Sequence, residues 1–90
     1  TNTIPALISY VSKELNYTYV NDTYQDWFGI NPKDIVGCKV VEVLGEKAFE
    51  KIQPYVEKVL NGESVLYEAQ IPYKHGGTRF IKATYVPHYN

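Results

Sequence analysis

Apolar and polar positions change their spacing three times along this chain. Residues 6–12 (Ala-Leu-Ile-Ser-Tyr-Val-Ser) are β-prone and too short for a helix that stands alone. A polar break, Lys13 to Asn16, leads into Tyr17-Thr18-Tyr19-Val20, a strand by composition. A connection of four residues fits an antiparallel hairpin. Asn21 is then expected to cap a helix, with Asp22 in its first turn and Gly29 as its stop. Tyr24, Trp27 and Phe28 share one face of that helix. Asn31-Pro32 opens a second short helix that ends by Gly37, and residues 39–44 form a further turn or helix closing at Gly45.

Residues 46–60 carry the longest helical period. Phe49, Ile52, Val56, Val59 and Leu60 make one apolar stripe, and Pro54 predicts a kink or break. Asn61-Gly62 is the stop signal. From Ser64 the period becomes two. Val65, Tyr67, Ala69 and Ile71 alternate with Leu66, Glu68, Gln70 and Pro72. A turn at His75-Gly76-Gly77-Thr78 precedes a return strand over residues 79–86. The order predicts an α+β fold: an antiparallel sheet of two hairpins, at 7–20 and 64–86, with short helices on one face.

Composition narrows the function. Ninety residues and 10.3 kDa accommodate one small domain over 1–90. A 44% hydrophobic and 21% charged chain is that of a folded globule, not a disordered one. Nine basic against ten acidic residues leave no footprint for nucleic acid. No apolar run approaches the ~20 residues of a membrane span, so no membrane contact is expected. A single Cys excludes an internal disulfide framework and fits a reducing compartment. The unusual feature is nine tyrosines, a residue type suited to pocket walls and interfaces.

Candidate chemistry is sparse. His75 and His88 fall in a turn and beyond the return strand, with no carboxylate or Cys at ligand spacing, so no metal is expected. No nucleophile and base pair can be placed, and Gly76-Gly77 reads as a turn, not a phosphate cradle. Asp22 and Asp26 read as solvated carboxylates. Asn16-Tyr17-Thr18 and Asn21-Asp22-Thr23 match a glycosylation sequon, which would be accidental in a cytosolic protein. No catalytic residue is assigned.

The stretch "ALISYVSKELNYTYVNDTYQDWFG" resembles the PAS domain, the sensory module of bacterial signalling proteins. Tyr19-Val20-Asn21 and Trp27-Phe28-Gly29 stand where the family has aromatic-Val-Asn and aromatic-Gly. "INPKDIVGCKVVEVLG" and "NGESVLYEAQIPYKHGGTRFIKATYVP" resemble its next helices and its second hairpin. The resemblance implies a cytoplasmic sensor or relay domain joined to a histidine kinase or diguanylate cyclase, working as a homodimer. It also implies a fifth, central strand beyond Asn90, so the chain reads as a core cut from a larger protein, its last strand missing. Covalent flavin is disfavoured because Val36-Gly37-Cys38-Lys39 lacks the flavin-attaching context, and haem because residues 46–60 hold no His.

Inside such a fold, a small apolar or aromatic ligand would be lined by Tyr19, Phe28, Phe49, Ile52, Val56, Tyr67, Ala69 and Ile71. Phe28, Phe49 and Tyr67 can equally fill that space. The alternatives are a ligand-free dimerisation module and a small α+β enzyme with an apolar pocket. Phe80 and Val86 share one face of the return strand while Ile81, Ala83 and Tyr85 share the other. A sheet wet on one side needs no apolar groups there, so a partner subunit or flanking helix is expected on the outer face.

Overall fold

The computed structural model describes residues 6–73 and 77–88, with the side chains of 71–73 and 77–79 outside the description. Four strands make one sheet: β1 (Ala6–Val11), β2 (Tyr17–Val20), β3 (Val65–Tyr73) and β4 (Gly77–Pro87), in the order β2-β1-β4-β3. Between β2 and β3 run α1 (Thr23–Phe28), α2 (Pro32–Ile35), α3 (Val40–Leu44), α4 (Glu46–Lys51) and α5 (Gln53–Leu60).

Both hairpins form as expected, β1 with β2 and β3 with β4, each antiparallel. The expectation of a wholly antiparallel sheet needs correction. β4 lies beside β1 and runs parallel to it, Leu7 opposite Ala83 and Ser9 opposite Tyr85. The sheet is mixed because β2 and β3 point the same way from opposite edges. The helical segment crosses the whole sheet before the second hairpin begins.

Burial alternates along the strands and assigns the faces. Leu7, Ser9 and Val11 of β1, Val65 and Tyr67 of β3, and Ile81, Ala83 and Tyr85 of β4 are buried. Leu66, Phe80 and Lys82 face out. The register read from the period-two segments therefore holds. Helix residues Tyr24, Ile35, Val40, Leu44, Ala48, Val56 and Val59, with Ile52 at the joint between α4 and α5, close the core over the inner face.

Pro54 breaks the long helical segment as its chemistry requires. α4 stops at Lys51, and Pro54 occupies the first turn of α5, where a missing N–H costs nothing. The buried stripe is Ala48, Ile52, Val56 and Val59; Leu60, expected on it, is 44% exposed. Asn31 caps α2 by accepting from the Lys33 N–H at 2.9 Å. Gly29 ends α1 at φ 67°, the left-handed region that favours glycine. Of the turn expected at 75–78, residues 75 and 76 lie outside the described residues, and Gly77 and Thr78 already belong to β4, paired with Tyr73 and Pro72.

Asn21 does not cap α1. Asp22 holds the cap position, without a side-chain cap bond. The Asn21 side chain turns back onto β1 instead. Its Oδ1 accepts from the Ile8 N–H at 3.1 Å and its Nδ2 donates to the Ala6 carbonyl at 2.9 Å. Its backbone N–H donates to the Ile8 carbonyl at 3.0 Å. A carboxamide mimics a peptide unit, so it extends the ladder by one rung where the chain leaves the sheet. Asn21→Ala should cost about 1–3 kcal/mol, because two backbone groups lose their partners. Denaturant unfolding measures it; a change under about 0.5 kcal/mol would show that water replaces the clasp.

Candidate functional site

The interior between helices and sheet is aromatic, hydroxyl-rich and uncharged among the described residues. Tyr17 comes from β2, Tyr24 from α1, Tyr67 from β3 and Tyr85 from β4, and all four are buried. Ser9, between Leu7 and Val11 on the inner face of β1, is the buried polar residue. The Tyr17 and Tyr24 rings meet edge to face at 5.6 Å, and Tyr24 tilts against Phe28 at the same centroid distance. Tyr67 lies 6.1 Å from Tyr85 on one side. On the other, Tyr55 of α5 stacks flat on it at 3.9 Å.

Burial keeps these phenols neutral. Desolvation raises Tyr24 to about 12 and drives Tyr17, Tyr67 and Tyr85 up as well. The hydroxyls are near enough for Tyr17, Tyr24, Tyr67 and Tyr85 to bias one another's ionisation. The Tyr24 hydroxyl interacts with those of Ser9 and Tyr17, and Tyr17 with Tyr85, so the buried hydroxyls are one another's polar neighbours.

The eight residues expected to line a pocket are not all brought together. Ile52, Val56 and Tyr67 are buried in the core, and Phe28, Phe49 and Ala69 are partly buried against it. The side chain of Ile71 lies outside the described residues. Tyr19 is on the wrong face: it is 48% exposed and stands edge-on to Tyr10 at 5.3 Å on the outer side. The cause is a bulge. Tyr10 pairs with Tyr19 but Val11 pairs with Tyr17, so Thr18 is an extra residue in β2. Tyr17 and Val20, three apart, both point inward, and Tyr19 is turned out.

Four residues of the inner cluster were not among the expected lining: Ser9, Tyr17, Tyr24 and Tyr85. The abundance of tyrosine was their signal, but only the fold shows which tyrosines face inward. Cys38 is partly buried and donates its S–H to the Asp34 carbonyl at 3.3 Å, a local helix-end contact. His88 is exposed at the end of β4, with Nδ1 2.8 Å from Thr18 Oγ1 and its ring edge-on to Tyr10. Among the described residues no three His, Cys, Asp or Glu side chains gather as a metal site would need. None of their helices is long and apolar enough to cross a membrane.

The arrangement is that of a small α+β module built around an enclosed interior. The sequence profile of the PAS fold matches residues 1–90, and the chain belongs to that family. It is accordingly a module of the sensory and signalling type, a type that is generally non-catalytic. A search of curated proteins returns no match.

Proposed function

We propose that this chain is the ligand-sensing PAS domain of a cytoplasmic signalling protein with a histidine kinase or diguanylate cyclase output. A small apolar or aromatic molecule sits between the helices and the inner sheet face, against Tyr67, Ile52 and Val56. Binding favours one packing of helices on sheet over another, and the parent protein reads the shift in population. The observation that carries this reading is the gathering of five hydroxyl-bearing side chains, Ser9, Tyr17, Tyr24, Tyr67 and Tyr85, inside an interior otherwise apolar and uncharged among the described residues. Native mass spectrometry of the purified chain tests it: retained small-molecule mass is the expected result. A chain that stays empty, and gains no mass with hydrophobic metabolites added, would count against sensing.

The second reading, a dimerisation module that needs no ligand, is favoured by the outer face. Tyr19, Tyr10 and Val86 form one row across β2, β1 and β4, and Ile8, Thr84 and Leu66 form the next across β1, β4 and β3. Leu66 is 63% exposed, and Ile8, Tyr10 and Phe80 are exposed with it. A second copy of the parent protein is the occupant we assign to this face. Sedimentation of the full-length parent should show a dimer that Phe80→Glu weakens. A monomer at high concentration, indifferent to that substitution, would make the face ordinary surface.

A further inference from the structure

The two edges of the sheet are not equivalent. β2 is four residues long, and the free side of Tyr17 is taken: its N–H donates to the Cys38 carbonyl at 2.9 Å and its carbonyl accepts from the Gly37 N–H at 2.8 Å. β3 is nine residues long and pairs with β4 along its whole length, and among the described residues nothing bonds to its other side. We propose that this open side of β3 is a strand-addition site for an extended peptide that carries a cationic residue opposite Glu68. The site lies outside the interior and does not depend on what the interior holds.

The ladder fixes which groups are on offer. Successive residues of a strand aim their backbone groups to opposite sides. Ile8 faces β2, because its carbonyl accepts from the Asn21 N–H. Leu7, Ser9 and Val11 therefore face β4, and the His88 N–H donating to the Val11 carbonyl agrees. Leu7 lies opposite Ala83 in the parallel pairing, so it bonds the residues on either side, Lys82 and Thr84. The odd-numbered residues of β4 are left to bond the odd-numbered residues of β3. Leu66, Glu68 and Gln70 then turn their N–H and C=O groups to the open side. Pro72, which has no N–H to leave unpaired, falls on that side too.

Side chains decide the occupant. A second copy, pairing β3 with β3 antiparallel, uses all three of these residues only when Glu68 stands opposite the copy's Glu68, a like-charge pair. Moving the register by one bonded step sets Leu66 against Pro72, which donates nothing, or Gln70 against Ser64, beyond the strand. A different chain with Lys or Arg opposite Glu68 meets neither penalty. The residues flanking that cation point to the inner face, beside Tyr67 and Ala69. There the half-buried Tyr55, stacked on Tyr67 at 3.9 Å, and the half-buried Ala69 leave apolar surface. The segment that fits is apolar, cationic, apolar in alternation.

The probe is the acetylated and amidated peptide Ser-Thr-Val-Lys-Val-Ile-Ser, titrated into the isotope-labelled 90-residue chain. The largest amide shifts, and slowed hydrogen exchange, are expected at Leu66, Glu68 and Gln70. Glu in place of the peptide's lysine should weaken binding about fivefold, and Glu68→Lys in the chain should reverse that preference. N-methylation of the lysine, whose N–H bonds the Glu68 carbonyl, should abolish binding. N-methylation of the valine after it, whose N–H points away from β3, should not. Equal affinities for the two methylated peptides, shifts centred on Phe80 and Ile8, or no binding at millimolar peptide would overturn the proposal. So would protection of the Leu66, Glu68 and Gln70 amides in the chain alone that grows with its concentration, since a second copy would then be the occupant.

Discussion

Raising the pH from 10 to 12 should unfold this chain cooperatively. Four phenols, Tyr17, Tyr24, Tyr67 and Tyr85, are buried and resist ionisation in the folded state. The sign follows from proton linkage. Above pH 10 the unfolded chain sheds phenolic protons that the folded chain retains, so stability falls as pH rises. The stabilisation is complete below the unfolded value of 10.0 and is lost through the raised folded values, about 12 for Tyr24. A two-unit rise is worth on the order of 3 kcal/mol. Tyr17, Tyr67 and Tyr85 are raised in the same direction and add to this loss, against the ~5 kcal/mol that holds many small domains folded. Circular dichroism and phenolate absorbance should therefore change together. Ionisation of these four with the sheet signal intact would show that the interior admits water.

The second large effect is expected at Ile52→Ala, with a loss of about 2–5 kcal/mol. Ile52 is 1% exposed and occupies the joint between α4 and α5. Its N–H donates to the Ala48 and Phe49 carbonyls, and its own carbonyl accepts from Tyr55 and Val56. Removing its side chain leaves a gap where the backbone is already committed on both sides, so the site cannot collapse easily. Leu60→Ala, on the exposed flank of α5, should stay within about 0.5 kcal/mol. Urea midpoints at unchanged slope would separate the two. A loss below about 1 kcal/mol at Ile52 would show that the helix joint relaxes into the gap.

The strand register of 65–70 and 80–86 was legible because Glu68, Gln70, Lys82 and Thr84 alternate with Tyr67, Ala69, Ile81, Ala83 and Tyr85, even though Leu66, Phe80 and Val86 are apolar on the outer face. The break before Pro54 was legible because proline admits only one place in a helix. Three features were hidden, each for a physical reason. The bulge in β2 leaves no mark in Tyr17-Thr18-Tyr19-Val20, where every residue suits either face, so Tyr19 was assigned inward. Asn21 has the donor and acceptor chemistry for a cap and for a strand clasp alike, and only the proximity of β1 decides. The parallel pairing of β1 with β4 joins residues more than seventy positions apart, beyond any local pattern. The inner site was half legible. Tyr67, Ile52 and Val56 follow from periodicity, whereas Tyr17 is turned inward by the β2 bulge and Tyr85 reaches Ser9 only through that long-range pairing.

The crossing of the helical segment from one sheet edge to the other has a mechanical consequence. The five helices are joined by connections of a few residues at most, so the segment is a short strap fastened at β2 on one side and at β3 on the other. A guest that thickens the interior cannot be accommodated by slack in that strap. Twist between neighbouring strands varies over roughly −10 to −35°, which leaves the sheet a coordinate along which it could yield. Swelling within would thus draw on the two edge strands, which carry Tyr19 and Leu66 on the far side. The curvature of the outer surface would become a gauge of what the interior holds, with no residue running through the sheet to carry the message.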